Sequence, residues 1–156
     1  MLKYVNKGCT KEEILKAAET VKNTFVDVSV MVMPGLGGKK FYDEHMESTA
    51  EVLGRIKPRF LTFMGVNPAS SCLYARIMKK EQEKGENRPL TNKELTGQMI
   101  GIIDRMPVFR TKIGCFNRQI DAVGHNPLNF GSYNIYDRYD KDQVVRSLRF
   151  RLQYRM

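Results

Sequence analysis

The stretch best equipped for chemistry is Pro34-Gly-Leu-Gly-Gly38, followed by Lys39 and Lys40 and set directly after an apolar run ending at Met33. Glycines free the backbone to turn several amides toward one point, and a helix start behind them adds donors for an anionic group. The spacing matches neither GxGxxG nor the phosphate loop GxxxxGK(S/T), so the same glycines read equally as the needs of a tight turn. His45 lies seven residues on, beside Glu44 and four residues from Phe41. It reads as a proton carrier or as a packing histidine. His125, next to Asn126 and Pro127, has no partner identifiable in the sequence. Cys72 follows Ser70-Ser71 at an expected helix start, where a thiolate is favoured; a buried, inert thiol is the plainer reading.

Metal chemistry is poorly served. The cysteines, Cys9, Cys72 and Cys115, are too scattered for a CxxC zinc knuckle or a local cluster-binding triplet. They are also too few for a disulfide scaffold. With only two histidines, a self-contained metal site is not expected.

A chain of 156 residues, 42% hydrophobic and 28% charged, fits one domain with a real core. No run approaches the roughly 18 apolar residues of a membrane helix, and the first residues lack a secretory apolar region. A soluble, cytoplasmic protein without membrane attachment is the expectation. Lysine and arginine number 26 against 17 acidic residues, a net charge of +9. Residues 105–156 hold 10 basic and 4 acidic groups of these, so the final third is the basic part. Such a tail can meet RNA or another polyanion, or it can be a solvated face. Phe130, Tyr133, Tyr136, Tyr139, Phe150 and Tyr154 within it can stack bases or simply pack.

The elements around these residues alternate. Thr10-Lys-Glu-Glu13 is a capping box, and Ile14, Leu15, Ala17, Ala18 and Val21 carry a helix over about 11–23. Val26–Met33 reads as a strand buried on both faces. A helix over about 40–56 places Tyr42, Met46, Ala50, Leu53 and Ile56 on one side. Phe60–Val66 is a second buried strand, and a third helix follows over about 72–84, decaying into the polar segment Lys79–Arg88. Thr91-Asn-Lys-Glu94 is a second capping box and opens a helix to about 106, with Leu95, Met99, Ile102 and Ile103 on its face. Val108–Phe116 can form a strand, Asp121–Asn134 reads as loop, and 141–153 has helical spacing. Alternating strands and helices imply an α/β fold with parallel strands and crossover helices. With two firm strands, the chain reads as a slice of such a fold.

Taken in order, Val5-Asn-Lys-Gly-Cys-Thr-Lys-Glu-Glu13, Val30-Met-Val-Met-Pro-Gly-Leu-Gly-Gly38 with His45, Ala50 and Leu53, Pro58-Arg-Phe-Leu61 and Pro68-Ala-Ser-Ser-Cys-Leu-Tyr74 resemble one family. They are similar to the second half of the catalytic barrel of radical S-adenosylmethionine enzymes, in the elongator- and methylthiotransferase-like group. The resemblance covers residues 1–105 and implies a partial (β/α) TIM-type barrel, with 106–156 a basic C-terminal segment of unassigned fold. It implies that Val32, Met33, Pro34 and Gly35 lie near the adenine of S-adenosylmethionine, and that Asn67 adds backbone contacts. The family's CxxxCxxC triplet, which holds a four-iron, four-sulfur cluster, has no counterpart here. This chain is therefore expected not to ligate the cluster and to be inactive alone, as a truncated or split member of the family. The expected partner is a missing N-terminal barrel half or a second copy. The alternative is a cofactor-free module that contacts RNA or another polyanion through its basic tail.

Overall fold

The computed structural model describes residues 1–66, 68–107, 111–116 and 136–137. Helix α1 spans Lys11–Lys22, strand β1 Ser29–Val32, helix α2 Tyr42–Ile56 and strand β2 Phe60–Met64. Helix α3 spans Leu73–Glu83, α4 Asn92–Arg105, strand β3 Lys112–Phe116 and β4 Tyr136–Asp137. A single 3₁₀ turn, Lys39–Phe41, leads into α2.

Both expected capping boxes form. Thr10 accepts from the Glu13 amide at 3.2 Å while the Glu13 carboxylate takes the Thr10 amide at 2.7 Å. Thr91 and Glu94 repeat the exchange at the start of α4. Each box satisfies two of the amides a helix start leaves without partners.

The sheet order is β1-β2-β3-β4. β1 runs parallel to β2 with Ser29 opposite Phe60, and β2 runs parallel to β3 with Phe60 opposite Lys112. The fold is α/β with parallel strands and crossover helices, its three parallel strands adjacent in sequence order. β4 departs from an all-parallel barrel, since Ile113 faces Tyr136 in antiparallel register. Among the described residues no closed barrel is present. β3 lies beyond residue 105 yet pairs with β2, so the sheet crosses the expected boundary at 105/106.

The core sits on one face of the sheet. Val32, Leu61, Phe63 and Ile113 meet Met46, Leu53, Met99, Ile102 and Ile103 from α2 and α4. The expected apolar stripes of those two helices are buried apart from Tyr42, which is half-buried against the core. Helices approach closely at Gly101, where an added Cβ would clash with Met46 Sδ. α1 is more peripheral: of its expected stripe only Leu15 is buried.

The expected burial of β1 on both faces is not met. Val32 is buried, but Met31 is 57% exposed and Val26 66%. The reason is packing rather than propensity. α2 and α4 cover the face bearing Val30 and Val32, and among the described residues β1 is the edge strand. The second strand alternates in the same way, with Leu61 and Phe63 inward and Phe60, Thr62 and Met64 half-buried. The expected loop at 121–134 and helix at 141–153 lie outside the described residues.

Candidate functional site

The carboxyl ends of parallel strands are where α/β folds leave backbone groups and loops for ligands. Here that end of β1 runs into Pro34–Gly38, and the end of β2 into Gly65 and Val66. The two are tied by the Val66 amide, which donates to the Pro34 carbonyl at 3.3 Å. Between them and helices α3 and α4 lies a cleft of about 100 Å³, lined by Gly35, Val66, Tyr74, Met78, Leu90 and Leu95 among others. Its walls are mostly apolar. Gly35, at φ +85°, lines it because no side chain fits there: an added Cβ would sit 2.7 Å from Leu95 Cδ2.

The glycine loop does not present its amides to this cleft. Gly35 N–H donates to Gln98 Oε1 at 2.8 Å and Gly37 N–H to the Tyr74 hydroxyl at 3.0 Å. Leu36 and Gly38 donate within the loop, to Met33 and Gly35 carbonyls. Lys39 N–H donates to the Arg88 carbonyl at 2.9 Å, and Lys40 N–H to Asn87 Oδ1 at 3.0 Å. Six consecutive donors are thus used internally, and an anion would have to displace protein groups to reach them. The tight-turn reading of the glycines is the one the geometry supports.

The lysines follow suit. Lys39 pairs with Glu94 at 3.1 Å and Lys40 with Glu81 at 3.6 Å. Arg88 grips Glu94 with both nitrogens, at 2.7 and 2.8 Å. That grip, more than the cap at Thr91, holds the Glu94 carboxyl well below the usual carboxylate range.

Two buried amide side chains lock the loop. Asn87, 5% exposed, donates to the Gly37 carbonyl at 3.0 Å and to Glu81 at 3.1 Å, and accepts from Lys40 and Arg88 amides. Gly38 lies against it at φ +70°, where a Cβ would come 2.6 Å from the Arg88 carbonyl oxygen. Gln98, fully buried, bridges the Gly35 amide and the Tyr42 carbonyl, the latter at 2.9 Å. Tyr4 closes the outer side, donating to Glu81 at 2.5 Å and stacking near Phe41. Burial, then the Glu81 bond, pushes the Tyr4 hydroxyl up to about 12.

Of the expected site residues, Val32 is a core side chain and Pro34 is fully buried. Met33 is 38% exposed, Gly35 lines the cleft, and Asn67 lies outside the described residues next to Val66. His45 is 4% exposed with Nδ1 buried and unpartnered among the described residues. It is a packing histidine beside Gln98, and burial pushes its pKa down. Cys72 caps α3, its Sγ accepting from the Ala75 amide at 3.4 Å, a structural use. His125 lies outside the described residues. The sequence motifs include neither Asn87 nor Gln98, and Tyr74 only as the last residue of Pro68–Tyr74.

His45 gives a pH prediction. Its folded pKa is depressed, so the unfolded chain binds its proton first as pH falls. Stability is expected to start falling near the ordinary histidine pKa of about 6.5, before the carboxylates titrate. Denaturant midpoints measured from pH 7.5 to 5 should drop for the native chain and stay level for His45→Leu.

Among the described residues no group of three or more His, Cys, Asp or Glu side chains is placed to hold a metal ion. No described helix is long and apolar enough to cross a membrane. Comparison with protein-family models, with curated protein sequences and with solved structures finds no match for this chain.

Proposed function

We propose that this chain is the carboxyl half of a radical S-adenosylmethionine barrel and supplies one wall of the adenosine pocket. The cluster would come from a separate segment carrying CxxxCxxC. The observation that carries the reading is the cleft at the carboxyl ends of β1 and β2. It is lined by Gly35, which the family resemblance puts near the adenine, and by Val66, next to Asn67. The singly wound order of β1, β2 and β3, with helices packed on one face, is also the order of consecutive barrel strands.

The residues present fit a flat, largely uncharged ring. Gly35, Val66 and Leu95 offer apolar contact. Tyr74, whose oxygen accepts from Gly37 N–H, keeps its own proton for a ring nitrogen. Burial raises the Tyr74 pKa and holds it protonated. With the Gly35 amide committed to Gln98, contact at that residue runs through its bare Cα rather than its donor. When bound beside a cluster, S-adenosylmethionine would serve as the radical source; this chain's part is to bind and orient the adenosine. The polyanion-binding alternative rests mainly on tail residues outside the described part.

Two assays test this. Anaerobic reconstitution with iron and sulfide should leave the chain without a stoichiometric four-iron ([4Fe-4S]) cluster. Equilibrium dialysis should give weak, saturable uptake of S-adenosylmethionine, competed by adenosine and not by guanosine. A stable cluster on the isolated chain, or uptake without base preference, would overturn the reading.

A further inference from the structure

The described large hydrophobic residues left exposed are concentrated in one segment. Phe25 is 111% exposed relative to a reference chain, Val26 66%, Met31 57% and Met33 38%, with Leu73 the one exception elsewhere. All four belong to β1 or its immediate flanks, and β1 is the edge of the sheet that the described residues form. Edge strands are usually shielded by a lysine, a proline or a bulge, because their open main-chain groups template pairing with another chain. Here Val28 to Met33 contains no charge and no proline.

The direction of the main chain is fixed by its inner partner. The Val28 carbonyl accepts from the Arg59 and Phe60 amides, at 2.9 and 3.3 Å, so Val28 and Val30 turn their groups toward β2. Alternation then turns the N–H and C=O of Ser29 and Met31 outward.

We infer that a second copy of this chain occupies the edge, its β1 antiparallel to the first about a twofold axis at Val30. That register sets Ser29 opposite Met31 of the second copy, and Met31 opposite Ser29, so both outward residues exchange both bonds. On the helix-bearing face Val30 meets Val30, and Val28 meets Val32. Every one of these pairs is uncharged. A shift by one residue would set outward groups against inward ones and lose the bonds.

The area agrees with a weak dimer. At the exposures above, the four side chains leave roughly 500 Å² open, at the upper end of a typical monomer's largest apolar patch. Full cover of these side chains on both copies would set an upper bound of roughly 1,000 Å², below the usual size of a stable specific interface and in keeping with a weak dimer. The inference does not depend on the adenosine reading. It does mean that a second copy and a cluster-bearing half would compete for one edge.

The test uses the full chain with Cys9, Cys72 and Cys115 replaced by serine. Ser29→Cys and Met31→Cys together should give an oxidised dimer, since hydrogen-bonded partners lie about 5.5 Å apart at Cα, within disulfide reach. Either substitution alone should not, because like positions do not face each other. In the native chain, sedimentation at roughly 100 μM should show dimer, as expected for micromolar affinity. Met31→Pro removes an outward N–H and the exposed Met31 side chain but no bond to β2, and should weaken the dimer roughly tenfold or more with helix content unchanged. A monomer at that concentration, single cysteines cross-linking as well as the pair, or a folded Met31→Pro variant dimerising unchanged would each overturn the inference.

Discussion

Asn87→Ala should destabilise the chain by about 3–4 kcal/mol, the largest effect expected of any exposed-loop or buried-polar substitution here. Its side chain holds the Gly37 carbonyl and the Lys40 and Arg88 amides, all within 3.0 Å. Truncation leaves these main-chain groups short of partners in a mostly buried setting, at about 1–3 kcal/mol for each group fully stranded. It also removes a donor from Glu81, whose carboxyl is held low first by Tyr4 and then by Asn87. Asn87→Asp separates the contributions. It keeps the acceptor for Lys40 and Arg88 but loses the donor and adds charge beside Glu81, so most of the loss should remain at pH 7. Chemical denaturation reads both. A loss under about 1 kcal/mol for Asn87→Ala would mean the loop is not held as described.

Gln98→Leu is the second large effect, about 2–4 kcal/mol, although leucine nearly matches the shape it replaces. The Gly35 amide would lose its bond to Gln98, and the Tyr42 carbonyl, at the start of α2, the second bond that Gln98 adds. Shape is kept while pairing is lost, so the cost measures polar satisfaction rather than packing. Hydrogen exchange at the Gly35 amide gives a local reading. It should speed up in Gln98→Leu while the amide of Leu61, in β2, slows or speeds only with global stability.

These two residues also mark where the sequence stops being readable. The capping boxes at Thr10 and Thr91 are legible because both partners lie three residues apart. The stripes Met46-Ala50-Leu53 and Leu95-Met99-Ile102 are legible because helix period alone sorts them. Asn87 and Gln98 act on a loop 50 and 63 residues away, and no local pattern marks them. Asn87 even sits in a polar stretch that reads as the end of a helix. The glycine loop was legible as a turn after a strand, and its amide directions were not, since those depend on partners from α3, α4 and the segment before α4. Val26–Met33 misleads for a related reason. Its apolar run reports what the side chains are, while the number of covered faces depends on where α2 and α4 pack.

The most direct test of the central claim is amide chemical-shift mapping of the ¹⁵N-labelled chain during titration with S-adenosylmethionine. Saturable shifts at Gly35, Val66, Tyr74 and Leu95, reproduced by adenosine, are the expected result. Binding that leaves these four unmoved and shifts the tail beyond Phe116 would contradict the adenosine-pocket account, as would no shift at all at millimolar ligand.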